Sequence, residues 1–115
     1  MSLKIYHNPR CMKSRQTLEL LQKKGLKTEI IEYLKTPPSV RELDEILKML
    51  GLEPQEIVRT KEEAYQQLGL AKKNLSRKEW IDLLVKHPIL IERPIVVNGN
   101  KAALGRPPEK VLEIL

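Results

Sequence analysis

The spacing of apolar positions changes repeatedly along the chain, and each change predicts an element. LKIY, residues 3–6, is a short, mostly apolar run that reads as a strand. HNPRC follows as a loop, because Pro9 forbids a regular continuation. From Met12 the spacing turns helical, with Thr17, Leu18 and Leu21 on one face. QKKG closes that helix: Lys23 and Lys24 suit the negative end of its dipole, and Gly25 suits the left-handed cap position. TEIIEY, residues 28–33, is rich in β-formers and predicts a second strand. Strand, helix and strand within about thirty residues make a βαβ unit with a right-handed crossover.

The middle of the chain is helical. After the break at TPPS, Ser39 and Glu42 form a capping box ahead of Val40, Leu43, Leu47 and Leu50, and Gly51 ends that helix. Thr60 with Glu63, and Ser76 with Glu79, repeat the signature before two shorter helices. Trp80 falls on an apolar side with Leu83 and Leu84 and reads as core, and His87 before Pro88 reads as a helix-end residue. PIVVNGNKAAL has two apolar runs around Asn98-Gly99, a hairpin signal. Pro107 and Pro108 then open a last helix over Val111, Leu112 and Leu115. This order predicts an α/β, thioredoxin-like fold: a mixed four-stranded sheet with a helical insertion between the second and third strands. One domain is expected over 1–115, with the insertion at about 38–90.

Composition narrows the function. Charged residues make up 31% of the 115-residue chain and hydrophobic ones 41%, which suits a soluble globular protein. The N-terminus turns polar after six residues and no apolar run approaches a membrane span, so neither a signal peptide nor a membrane partner is expected. The net charge is +6, but Lys and Arg are interleaved with Glu and Asp, without a basic block or aromatic interleaving. That pattern describes solvated helix faces, not a nucleic-acid surface. The single cysteine cannot form an intramolecular disulfide, and a reducing cytoplasm is the default location.

That cysteine, Cys11, stands at the seam of the first strand and helix. The unpaired N–H groups and positive dipole end of a helix favour an anion and stabilise a thiolate, lowering a thiol pKa from about 8.5 to between about 3.5 and 7.5. Arg10 and Lys13 flank it, Arg15 is one turn on, and His7 lies four residues before it. The same features bind an oxyanion. A thiol phosphatase would need an arginine six residues after the cysteine, where this chain has Thr17; its arginine comes earlier, at Arg15. A dithiol oxidoreductase needs Cys-x-x-Cys, and Ser14 stands at the second position. One Cys and two separated His are too few for a metal site, so no metal is expected. A monothiol nucleophile acting on a small oxyanion remains.

HNPRCMKSRQTLELL, EYLKTPPS, VRTKEEAYQQLGL, HPILIERPIVV and GRPPEKVLEIL run in the same order as in the glutaredoxin-linked arsenate reductases of the ArsC family, which the chain resembles over nearly its whole length. The resemblance implies that Cys11 attacks arsenate, that His7 helps keep the thiol ionised, and that Asn8 and Ser14 hold the sulfur and the anion by hydrogen bonds. It implies that Arg59, Arg93 and Arg106 cradle the oxyanion, guanidinium forks matching its oxygens bidentately. Pro94 is expected to be cis. Glutathione is implied as co-substrate and glutaredoxin as protein partner, with no bound cofactor. Familiar members continue in a C-terminal tail beyond the position of Leu115, which leaves substrate range open.

Two other readings stay open. A regulator of the related Spx type would use this fold to bind RNA polymerase, commonly through a Cys-x-x-Cys switch that Ser14 removes here. A glutathione-dependent thiol oxidoreductase acting on mixed disulfides would use Cys11 without needing Arg59 and Arg106.

Overall fold

The computed structural model describes residues 3–115, which form two compact units: the segment up to Thr36 together with Arg93–Leu115, and Pro37–Glu92. The first unit holds a mixed four-stranded sheet in the order β2-β1-β3-β4. Strand β1 (Leu3–Tyr6) runs parallel to β2 (Glu29–Ile31) and antiparallel to β3 (Ile95–Asn98), which pairs antiparallel with β4 (Lys101–Leu104). Between β1 and β2 lies α1 (Met12–Lys23). This is the thioredoxin-like arrangement that the order of elements predicts.

One cluster forms the core of this unit. Ile5, Leu21, Val96, Ala103 and Val111 are buried together, with Leu3, Leu18, Leu20 and Ile114 packed against them. Burying each large aliphatic side chain contributes about 1.5–3 kcal/mol. Ser14, Thr17 and Leu21 are the buried positions of α1, at spacings of three and four residues, so one helix stripe faces inward. The helix ends as expected: Gly25 has φ 70°, and the Gly25 and Leu26 N–H groups reach back to Gln22 and Leu21 carbonyls at 2.9 and 3.2 Å.

Four expectations need correction. Strand β2 stops at Ile31 because the Lys35 and Thr36 N–H groups bond the Glu32 carbonyl and turn the chain there; Tyr33 is buried but lies outside the sheet. The hairpin loop is Gly99-Asn100, not Asn98-Gly99. Asn98 pairs with Lys101 and its side-chain amide donates to the Ile114 carbonyl at 2.7 Å, while Gly99 alone takes a positive φ, as at the first position of a type II′ turn. The last helix, Pro108–Ile114, is 3-10. Its threefold period puts Pro108, Val111 and Ile114 inward and leaves Leu112 and Leu115 39% and 43% exposed. Finally, Thr60 caps no helix: a turn from Arg59 to Glu62 intervenes, and α3 (Glu63–Gln67) starts after Glu62.

The second unit is helical. It contains α2 (Val40–Leu50), α3 and α4 (Arg77–Lys86), with 3-10 turns at Pro54–Ile57, Leu70–Lys72 and Pro88–Leu90. Both remaining capping boxes form: Ser39 Oγ accepts from Glu42 N–H at 3.1 Å and Ser76 Oγ from Glu79 N–H at 3.2 Å. Leu43, Ile46 and Leu47 of α2 and Trp80, Ile81 and Leu84 of α4 are the buried stripes of two packed helices. Arg77 fastens them, donating twice to Asp44 at 3.0 and 3.2 Å. Among the described residues no helix is long and apolar enough to cross a membrane.

Candidate active site

The site is assembled at the start of α1. His7 continues the β1–β2 ladder by donating its backbone N–H to the Ile31 carbonyl at 2.8 Å. The chain then turns tightly around Asn8: its carbonyl accepts from the Cys11 N–H and its side-chain Oδ1 from the Arg10 N–H, both at 3.0 Å. This turn delivers Cys11 to the N-cap of α1 with extended backbone, φ −94° and ψ 123°. The first turn carries no acidic residue to neutralise the positive helix end.

The Cys11 side chain makes no short capping hydrogen bond. Burial by itself pushes its pKa up, but the Ser14 N–H, the Arg93 guanidinium and the Lys13 N–H together hold it below the ordinary thiol value. The two amides point along the helix axis at the N-terminus, and Arg93 comes from the other side of the sheet sequence, just before β3. Cys11 is part-exposed, so the thiolate can be reached from solvent.

Ser14, fully buried, is the centre of a polar cluster. Its hydroxyl oxygen accepts from the Asn8 N–H at 3.0 Å and lies 2.6 Å from His7 Nδ1, a pairing that either neutral His tautomer can make. Burial lowers the His7 pKa below 6.5, Arg15 lowers it further, and Glu32 opposes them. At neutral pH His7 is therefore uncharged. Its contact in the loop is Ser14, and what it supplies there is a fixed hydrogen bond, whereas the charge acting on Cys11 comes from Arg93. The flanking Arg10, Lys13 and Arg15 side chains are exposed, and Arg15 donates to the Pro9 carbonyl at 3.1 Å.

The two later arginines of this unit are tied to each other. Arg106, which is exposed, donates to the Arg93 carbonyl at 3.2 Å, and the Gly105 N–H donates to the Pro94 carbonyl at 2.9 Å. The Arg93–Pro94 peptide is cis, as expected, and so is Arg106–Pro107, which nothing in the sequence reading anticipated. Arg59 stands in the other unit. Its guanidinium is clamped by Glu62 at 3.0 Å and Glu92 at 2.7 Å, and the Arg59 backbone N–H donates to the Leu90 carbonyl at 2.8 Å. Sequence reasoning missed that pair of carboxylates and the close approach of Gly105 to Thr17 and Pro94. Among the described residues no group of three or more His, Cys, Asp or Glu is placed to hold a metal.

Residues 6–114 match the ArsC family. The chain belongs to the ArsC family. It is 52% identical over 116 residues to a Haemophilus influenzae protein named arsenate reductase, all of both chains being covered. It is 50% identical over 114 residues to the uncharacterized Escherichia coli K12 protein YfgD, covering 98% of this chain and 96% of that one. Among solved structures, an arsenate reductase from Vibrio cholerae superposes with a TM-score of 0.95 at 51% identity, covering 100% of this chain and 98% of that one. The family's fold is thus the fold of this chain.

Proposed function

We propose that this ArsC-family chain reduces arsenate to arsenite through a single nucleophilic cysteine, Cys11, with glutathione and glutaredoxin as reductants. The observation that carries the reading is a lone thiol at a helix N-terminus whose pKa is lowered by backbone amides and by Arg93. Identity of 52% to a protein named arsenate reductase supports the choice of oxyanion.

In this reading the Cys11 thiolate attacks arsenic. A sulfur–arsenic bond forms, an arsenic–oxygen bond breaks, and the oxygen leaves as water with protons from solvent. Glutathione's thiolate displaces a second oxygen in the same way. A glutaredoxin thiolate then attacks the glutathione sulfur, forming a disulfide; the arsenic–sulfur bond to glutathione breaks and its electron pair stays on arsenic, taking As(V) to As(III). Water finally displaces Cys11, releasing arsenite and regenerating the thiol. No second cysteine of this chain is needed, in keeping with the one it has.

Arg93 and Arg106 are proposed to offset the oxyanion's charge beside the thiolate. Arg59 is proposed as the third such arginine on the match of its sequence segment, and Asn8, His7 and Ser14 as the residues that shape the thiol loop. A reducing compartment such as the cytoplasm suits the free thiol.

The test is arsenate-dependent NADPH oxidation coupled through glutathione, glutaredoxin and glutathione reductase, comparing wild type with Cys11→Ser. Turnover in the wild type and none in the variant is the expected result. Absence of turnover in the wild type, with Cys11 still alkylated at low pH, would overturn arsenate as substrate while leaving a reactive thiol.

A further inference from the structure

Three segments of the sheet-bearing unit meet at one buried glycine. Gly105 does not have a left-handed φ, so its need for a missing side chain is spatial. A methyl group there would lie 2.5 Å from Thr17 Oγ1 and 2.7 Å from Pro94 Cγ, closer than a side-chain carbon packs, and a tight 3.1 Å from Thr17 Cγ2. Both neighbours are held. Thr17 is fully buried in α1 and its hydroxyl donates to the Lys13 carbonyl at 2.8 Å. Pro94 is buried, and its carbonyl accepts from the Gly105 N–H at 2.9 Å.

These contacts connect the two sides of the site. Lys13, whose carbonyl Thr17 engages, presents its own N–H to Cys11. Pro94 follows Arg93, and Gly105 precedes Arg106, whose guanidinium bonds the Arg93 carbonyl. We propose that Thr17 and Gly105 are positioning residues: their close packing with Pro94 sets how near the backbone bearing Arg93 and Arg106 stands to the N-terminus of α1, and so the width of the oxyanion seat beside Cys11. Neither residue touches the reacting atoms. The inference rests on the reading of Cys11 as an oxyanion-directed nucleophile.

Gly105→Ala, Thr17→Ala and the double variant test it. Iodoacetamide alkylation of Cys11 is followed across pH, with and without arsenate, alongside coupled turnover and far-UV circular dichroism. In a folded Gly105→Ala protein the widened seat raises the alkylation midpoint, weakens arsenate protection of the thiol, and lowers kcat/KM about 10- to 100-fold. The double variant recovers part of that loss, because removing the Thr17 side chain relieves the 2.5 and 3.1 Å approaches. Gly105→Ala with a wild-type alkylation profile and wild-type arsenate protection overturns the inference, even if its melting temperature falls. Should Gly105→Ala fail to fold, Thr17→Ala decides: a shifted alkylation midpoint supports positioning, and an unchanged one overturns it. Absence of wild-type turnover would count against the arsenate reading alone, since the alkylation profile still judges the packing.

Discussion

Ser14→Ala separates two roles that a serine in this loop could play. The hydroxyl is fully buried and serves the Asn8 N–H at 3.0 Å and His7 Nδ1 at 2.6 Å. Removing it leaves two buried polar groups without that partner, at about 1–3 kcal/mol each. Alanine's better helix propensity at this position in α1 offsets about 0.5 kcal/mol. The net expected loss is about 1.5–5.5 kcal/mol. With a urea m-value of about 1.5 kcal/mol per molar, the unfolding midpoint falls by about 1–3.7 M. The thiol behaves differently. It is the Ser14 backbone N–H that acts on Cys11, and alanine keeps it. Urea unfolding by circular dichroism and alkylation of Cys11 against pH check both halves. A stability loss below about 0.5 kcal/mol would refute the buried-cluster argument. An alkylation midpoint raised by about one unit would refute the division of labour, by showing that the hydroxyl holds the sulfur.

Arg93→Ala raises the Cys11 alkylation midpoint and lowers kcat/KM for arsenate about 10²- to 10³-fold; Arg93→Lys falls between, keeping charge but losing the planar fork. A wild-type alkylation profile in Arg93→Ala would contradict this. The folded-state pKa of His7 lies below its ordinary value of 6.5. Below that value the unfolded chain binds more protons than the folded one, so the contribution of His7 is complete above about pH 6.5 and is lost as pH falls toward the folded pKa. Stability of His7→Asn measured between pH 7 and pH 5 should accordingly slope less than that of wild type, and an equal slope would count against a buried neutral histidine. Ser76→Ala removes the cap of α4 and costs about 1 kcal/mol by urea unfolding; no loss would show that the capping box is idle.

The sequence by itself determined the parts of this protein that depend on near neighbours. The βαβ start, the serine capping boxes at Ser39 and Ser76, the Gly25 and Gly51 helix ends and the position of Cys11 at the head of α1 all follow from period, cap chemistry and backbone freedom over a few residues. The family was legible too, because its loop places Cys11 between residues with distinct backbone duties. Expectations failed where a distant partner intervened. The hairpin moved by one residue because Asn98 bonds the Ile114 carbonyl, sixteen positions away. Thr60 lost its helix because Arg59 joins Glu62 and the remote Glu92. The cations next to Cys11 in sequence are exposed, while Arg93, eighty-two positions later by its number, supplies the charge that acts on the thiol. Side-chain electrostatics and packing depend on distance through space. Strand pairing between β1 and β3, which sets that distance, is a property of the folded sheet that no local stretch encodes.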